Sequence, residues 1–332
     1  MTATQHKHIN LQTDQLTVGY FNAKELTPVL ENISIKAYAG ELICFMGPNG
    51  VGKSTLLRTI CNLQKPLSGS ISIEGIDINQ LDAQAMAQAI SLVLTDSINA
   101  GNLTAYELVA LGRYPYLGWN LKVNDTDQNK IDHAIAQAGI ESYVRKKIYE
   151  LSDGQLQKVM IARALAQDTP LLILDEPTAH LDLNNRVAIV NLLKKLARDE
   201  NKTIIMATHE LDLALQSADK LWLAGYNKPI IEGIPEDLVL NGSIDEVFQL
   251  KGYDLKTGTL KKESMGRKVN LSGSGHTYLW TKNALERNGY EIDTLALTHI
   301  TIDDETNYWK INKDVTAHTL EDLIKQLNQT IL

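Results

Sequence analysis

The chain has 332 residues, 44% hydrophobic and 22% charged, with 32 Lys+Arg against 40 Asp+Glu and a net charge of −8. This is the composition of a soluble globular protein of one large or two ordinary domains, and it excludes a nucleic-acid binder that relies on a basic surface. The two cysteines, Cys44 and Cys61, exclude a disulfide framework and read as small core residues, and no apolar run approaches the ~20 residues of a membrane span.

Met1 to Leu16 is polar and lacks the apolar segment of a secretory signal, which predicts a cytoplasmic protein. Ile9 to Tyr20 and Val29 to Ala37 read as strands. The apolar run Glu41 to Met46 then leads into Gly47-Pro48-Asn49-Gly50-Val51-Gly52-Lys53-Ser54, and helical character follows from Thr55 to Ile60. Strand, glycine-rich turn and helix start in this order form a Walker A phosphate loop. Small residues let successive backbone N–H groups close around phosphate oxygens, and the positive end of the new helix faces the same anion. Gly47 through Thr55 are therefore the candidate cradle, with Lys53 reaching the β- and γ-phosphates and Ser54 holding Mg²⁺.

Gly69 to Glu74 resumes strand character, and a helical region follows at Leu81 to Ala89, Thr104 to Gly112, Gln128 to Gly139 and Asp153 to Gln167. Beyond it, short apolar runs at Leu171 to Leu174, Thr203 to Ala207 and Lys220 to Ala224 alternate with helical patterns at Asn184 to Arg198 and Glu210 to Ser217. That alternation predicts a parallel sheet covered by helices. Leu171 to Leu174 ends in Asp175 and Glu176, a Walker B arrangement in which a buried strand delivers two carboxylates beside the phosphate loop. Asp175 would hold Mg²⁺ through water and Glu176 would polarise the attacking water.

Near residue 251 the composition becomes polar and aperiodic, which predicts a linker over 251–265. The remainder, 266–332, reads as a small β-α-β-β-α unit, with strands at Lys268 to Leu271, Thr294 to Ile302 and Tyr308 to Asn312 and helices at Thr277 to Asn288 and Thr319 to Asn328. From Lys251 onward there are 11 Lys+Arg and 11 Asp+Glu, leaving 21 against 29 before it, so the first domain holds the whole charge imbalance. Trp280, Tyr290 and Trp309 are expected in the core of this tail.

Leu151-Ser152-Asp153-Gly154-Gln155 opens a helix, and a Ser or Asp N-cap explains it structurally. Its place between the two Walker motifs also resembles the LSGGQ signature of the ATP-binding cassette family, with Asp153 in place of the first glycine. The resemblance implies a P-loop NTPase cassette over 1–250, α/β in class, with a mixed sheet core, an antiparallel β subdomain and a helical subdomain at about 95–165. It implies ATP and Mg²⁺ as cofactors and a head-to-tail dimer with a second copy, two ATP molecules sandwiched between them. Ser152, Gly154 and Gln155 would then reach the partner's γ-phosphate. Asp182 in Ala179-His180-Leu181-Asp182 looks like the D-loop, His209 like the switch histidine, and Tyr20 like the aromatic that stacks on adenine, although a strand-end tyrosine also packs half-buried. Where the family normally places a catalytic glutamine this sequence has Asp96, an oxygen donor suited to Mg²⁺ or its waters.

Val109-Ala110-Leu111-Gly112-Arg113-Tyr114-Pro115 resembles the subgroup that serves iron-siderophore, haem and cobalamin importers. In that subgroup the region receives a coupling helix from membrane-spanning permease subunits, and Tyr114, Tyr116 and Trp119 are candidate contacts. The implied protein is an ATPase peripheral on the cytoplasmic face of the cell membrane, acting indirectly with a substrate-binding protein. A soluble cassette working on nucleic acid or ribosomes, and an exporter subunit, are the alternatives. One cassette and no heptad insertion between Ser54 and Leu151 disfavour the first, and the absence of fused spans the second. The tail lies outside the resemblance, as either a stabilising appendage or a regulatory module.

Overall fold

The apolar runs of the first 250 residues become strands buried on both faces, and their order builds two sheets. The computed structural model describes residues 8–22, 25–94, 101–256, 259–260, 266–303, 308–312 and 315–330, and it divides into two units, Met1–Gln249 and Leu250–Leu332. Asp96 lies outside the described residues.

In chain order the first unit comprises β1 (Ile9–Asn22), β2 (Glu25–Ile33), β3 (Lys36–Tyr38), β4 (Leu42–Met46), α1 (Lys53–Ile60), β5 (Ser68–Ile73), β6 (Ile76–Asp77), α2 (Ala83–Ala89) and β7 (Ile90–Val93). There follow α3 (Ala105–Ala110), a 3-10 turn at Leu111–Tyr116, α4 (Asp125–Ala138), α5 (Asp153–Ala166), β8 (Leu171–Asp175), α6 (Leu183–Asp199), β9 (Thr203–Ala207), α7 (Leu211–Ser217), β10 (Lys220–Leu223), β11 (Ile231–Gly233), α8 (Pro235–Leu240) and α9 (Ser243–Phe248).

The main sheet runs β11-β10-β4-β9-β8-β7, parallel except for the antiparallel edge strand β11. Its central strands, Leu42–Met46 and Thr203–Ala207, are buried at every position, as expected where helices cover both faces. The second sheet is antiparallel and centred on β1, which pairs with β2, β3 and β5. One core joins the two sheets: Leu16, Ile33 and Ile71 from the antiparallel sheet meet Phe45, Ile173 and Trp222 from the parallel one. Phe45 and Trp222 meet edge to face at 6.2 Å.

Several elements differ from the sequence reading. Val29 to Ala37 is two strands, not one. Asn32 turns left-handed at φ 54°, and Thr13 bonds the break from both sides, its hydroxyl donating to the Ile33 carbonyl and accepting the Ile35 amide. The segment Ile90–Val93, unassigned between the helices read at Leu81 to Ala89 and Thr104 to Gly112, is the edge strand β7.

Gly112 does not stop the helix after α3 so much as allow it to pack. A Cβ there would lie 2.2 Å from the Arg163 carbonyl oxygen of α5. Arg113 beside it is buried, its Nε 3.0 Å from Asp127 Oδ1 and its Nη1 2.9 Å from the Ala166 carbonyl, with the guanidinium 3.8 Å over the Tyr116 ring.

The second unit comprises β12 (Tyr253–Asp254), β13 (Thr259–Leu260), β14 (Arg267–Ser272), α10 (Gly275–Arg287), β15 (Tyr290–Ile292), β16 (His299–Asp303), β17 (Tyr308–Ile311), β18 (Val315–Ala317) and α11 (Leu320–Thr330). β12 and β13 pair antiparallel, so the span read as linker contains a short hairpin. The sheet order is β15-β14-β16-β17-β18, with β15 and β18 added to the strands expected. Its core gathers Leu271, Leu285, Tyr290, Ile300, Trp309, Leu323 and Leu327. Trp280, expected in that core, is 64% exposed. Its neighbour Thr281 takes the inward place and accepts the Trp309 indole N–H at 2.7 Å.

Removing one partner of a buried, hydrogen-bonded ion pair typically costs about 3–5 kcal/mol. Arg113→Met is expected to lose stability of that order in urea unfolding of the full chain, because Asp127 would keep a buried charge without its guanidinium.

Candidate nucleotide-binding site

Three loops leave the C-terminal ends of neighbouring parallel strands β4, β9 and β8, the edge where open α/β sheets bind ligands. The first is the phosphate loop between β4 and α1. A Cβ on Gly47 would sit 2.4 Å from the Ala224 carbonyl oxygen, and one on Gly52, at φ 114°, would sit 2.4 Å from Val29 Cγ1. Both positions therefore exclude side chains while leaving the backbone bare. Lys53 is buried and donates from Nζ to the carbonyls of Gly47 at 2.8 Å and Pro48 at 3.2 Å. Burial pulls its pKa below the usual lysine value, opposed by the charges of Glu176 and Asp175. Tyr20, half exposed at the end of β1, shares a 3.0 Å hydroxyl–hydroxyl hydrogen bond with Thr55 in the first turn of α1.

The second loop carries the carboxylates. Burial raises the Asp175 pKa above the ordinary aspartate value, and the hydrogen bond from Ser54 partly offsets it. Glu176 follows in the left-handed region at φ 49°, its amide donating to the Ala207 carbonyl at 3.0 Å. A bulky residue held there is a strained conformation of the kind that clusters at active sites. The third loop leaves β9, where His209 places Nδ1 3.6 Å from Glu176 Oε1. Lys53, Ser54, Thr55, Tyr20, Asp175, Glu176 and His209 are thus brought together by contact or charge.

Ser152, Gly154, Gln155 and Asp182 form a second cluster around the starts of α5 and α6. Ser152 caps α5 in a reciprocal box with Gln155, so the structural explanation of this pentad holds. Asp182 caps α6, both its oxygens accepting from Asn185 at 2.8 and 2.9 Å. Gly154 leaves no room beside Asn185, whose side chain would be 2.6 Å from an added Cβ. Asp153 is exposed in the first turn of α5.

Sequence reasoning missed two contributors. Arg186 reaches Glu210, the residue after His209, at 3.3 Å, which ties α6 to the histidine loop. Tyr226, just beyond β10, donates its hydroxyl to the Asn49 carbonyl at the tip of the phosphate loop. Its position after an apolar strand was the available signal, since every parallel strand of this sheet ends at the same edge.

Among the described residues no group of three or more His, Cys, Asp or Glu forms a metal cage.

Comparison with known proteins agrees with this geometry. The ABC transporter family model matches residues 30–179, and a second, the iron ABC transporter C-terminal domain, matches 266–328. The second match takes in the tail that the sequence motifs left outside the resemblance. An uncharacterized ABC transporter ATP-binding protein of Methanocaldococcus jannaschii is 36% identical over 291 residues, covering 85% of this chain and 98% of that protein. The iron(3+)-hydroxamate import ATP-binding protein FhuC of Bacillus subtilis is 32% identical over 241 residues, covering 73% of this chain and 88% of its own length. A dimeric structure of the bacterial ABC transporter cassette MJ0796 is 30% identical, with a TM-score of 0.58 over 68% of this chain and 98% of that one. The chain belongs to the ATP-binding subunits of ABC transporters. It is a nucleotide-binding ATPase, and among its described residues no helix is long and apolar enough to cross a membrane.

The raised Asp175 pKa has a sign that can be tested. The folded protein binds this proton more tightly than the unfolded chain, so the contribution to stability is present below about pH 4, the ordinary aspartate range, and is lost as pH rises through the folded value. Asp175→Asn is therefore expected to raise the nucleotide-free thermal midpoint at pH 7.5, with the gain shrinking at acid pH, while abolishing Mg²⁺-dependent hydrolysis.

Proposed function

We propose that this chain is the energy-coupling subunit of an importer for iron-siderophore, haem or cobalamin-type metal chelates, hydrolysing ATP as a head-to-tail dimer on the cytoplasmic face of the membrane. The observation that carries the reading is the pairing of a full phosphate-loop, carboxylate and histidine constellation with a C-terminal unit of the iron-transporter type.

In this reading Lys53 leaves the Gly47 and Pro48 carbonyls for the β- and γ-phosphates, and the N–H groups from Gly50 to Thr55 cradle them. Ser54 and Asp175 would hold Mg²⁺. Their hydroxyl and half-buried carboxylate are hard oxygen donors already in mutual contact. When bound, Mg²⁺ would supply positive charge beside the phosphates, and Asp96 would add an oxygen donor where the family carries glutamine. Glu176 orients and polarises the attacking water, and His209, 3.6 Å from its carboxylate, steadies that geometry. Tyr20 stacks on adenine. Ser152, Gly154 and Gln155 close over the partner's γ-phosphate, and Asp182 holds the segment that passes between the two sites.

A docking surface for the permease fits the same reading. A groove of about 450 Å³ lies between the end of α1 and α2, lined by Cys61, Leu63, Met86 and Leu92 among others. Gln84 and Gln88 of α2 both donate to the Pro115 carbonyl, which joins the groove to the Leu111–Tyr116 turn. Tyr114 and Trp119 are exposed beyond it, as interface anchors require, whereas Tyr116 lies beneath Arg113.

Glu176→Gln is expected to bind ATP, to slow hydrolysis by orders of magnitude and to accumulate a closed dimer on size exclusion. A variant that stays monomeric with ATP and hydrolyses at the wild-type rate would overturn the assignment. Purification of the tagged chain from detergent-solubilised membranes should recover a polytopic permease, with ATPase stimulated by a chelate-loaded substrate-binding protein.

A further inference from the structure

We propose that Tyr226 is a positioning residue for the phosphate loop, bracing its tip so that the loop's amides stand ready for phosphate. The inference rests on the reading of Gly47 to Thr55 as the phosphate cradle.

The phosphate loop has a mechanical difficulty. It holds its ligand through backbone N–H groups, so affinity depends on where the backbone stands, yet Gly47, Gly50 and Gly52 give that backbone more freedom than any other residue type would. Two braces act on the inner side. The Ala224 carbonyl abuts Gly47, and Lys53 donates to the Gly47 and Pro48 carbonyls. The Lys53 brace is lost when the ammonium turns to phosphate.

The tip is held from outside. Tyr226 lies in Ala224-Gly225-Tyr226-Asn227-Lys228, the loop that leaves β10, and its hydroxyl donates to the Asn49 carbonyl at 2.5 Å across 177 residues of sequence. The same oxygen would be 3.9 Å from a Cβ on Gly50, so the phenol covers the turn on which the first cradle amides sit.

The bracing loop has its own footing. Ala224 donates its amide to Met46 at 2.8 Å, which extends the β10–β4 ladder to the start of the phosphate loop. Asn227 takes the left-handed conformation at φ 54°, which asparagine tolerates better than most residues. Lys228 pairs with Glu246 of α9 at 2.6 Å. The tyrosine ring is 59% exposed, so burial of apolar surface does not account for its placement. The hydrogen bond does.

The bond to Asn49 does not compete with nucleotide, because it uses a carbonyl and the cradle uses amides. Tyr226 therefore keeps the tip ordered both before ATP arrives and after Lys53 has moved. The consequence belongs to ATP affinity.

The test is Tyr226→Phe in the full chain, which removes only the hydroxyl. Titration calorimetry with Mg·ATP should show the Kd raised by up to about tenfold, because the unliganded loop then spends less time in the binding-competent shape and one net hydrogen bond sets the ceiling. Hydrogen–deuterium exchange should quicken at Gly50 to Gly52 while β8 keeps its protection. A lower thermal midpoint with a wild-type Kd would mean that Tyr226 only packs, and would overturn the proposal, as would an unchanged Kd with unchanged exchange. A wild-type chain that fails to bind ATP would instead overturn the cradle reading, and this proposal with it.

Discussion

The loops that leave β8, β9 and β10 begin as extensions of the hydrogen-bond ladder, and the geometry of the candidate site depends on that. Beyond β8, the Glu176 amide donates to the Ala207 carbonyl; beyond β9, the Thr208 amide donates to Phe45; beyond β10, the Ala224 amide donates to Met46. Each loop thus begins already pinned to the end of the neighbouring strand. A slip of one residue in any of these parallel pairings would turn the strand's side chains to the other face and move the loop with it. The buried runs of β4, β8 and β9 resist such a slip, because every position but the terminal Asp175 is buried and a close-packed core has few gaps to accept a shifted register.

This rigidity is what allows the site to hold unfavourable groups. Lys53 and Asp175 are both partly withdrawn from water, with pKa values moved toward neutrality of each group, and Glu176 sits in a backbone region that costs on the order of 1–3 kcal/mol. None of these would persist on a soft scaffold. The shared core behind them, with Phe45 and Trp222 fully buried, supplies the stability that the site consumes. Phosphoryl transfer asks mainly for positioned charge, so a site whose charges are fixed in advance spends little on rearrangement during the reaction.

Much of this was legible in the sequence because phosphate chemistry dictates residue types at short spacing. Gly47 to Ser54 could be assigned since bare backbone, a lysine and a hydroxyl must arrive between a strand and a helix, and the structure supplies both flanks. Contacts between distant segments were not legible. Tyr226 meets Asn49, and Arg186 meets Glu210, because parallel strands end at one edge, and although an apolar strand before Tyr226 places it at that edge, no local pattern names either partner. The edge strand β7 was hidden by its four-residue length and its helical surroundings. Trp280 was misplaced by helical phase. Successive residues on a helix point about 100° apart, so Thr281 facing inward at 0% exposure turns its large neighbour to the surface.

The Val109 to Pro115 segment shows how one short motif can serve scaffold and surface at once. Gly112 and Arg113 are interior residues: the glycine admits close contact with the Arg163 carbonyl, and the arginine spans from Asp127 on α4 to the end of α5. Their burial fixes the turn that follows, and the carbonyl of Pro115 is then held from outside by Gln84 and Gln88. Leu111 and Tyr114, left facing solvent on the same turn, gain a defined direction without losing exposure. A force applied to that exposed face would reach α5, which the Ser152–Gln155 segment opens, through the Arg113–Ala166 hydrogen bond and the Gly112 contact with the Arg163 carbonyl. A docking surface on this turn could act on a distant ATP site only if the material between them is stiff, and burial of Gly112 and Arg113 is the feature of the motif that favours stiffness.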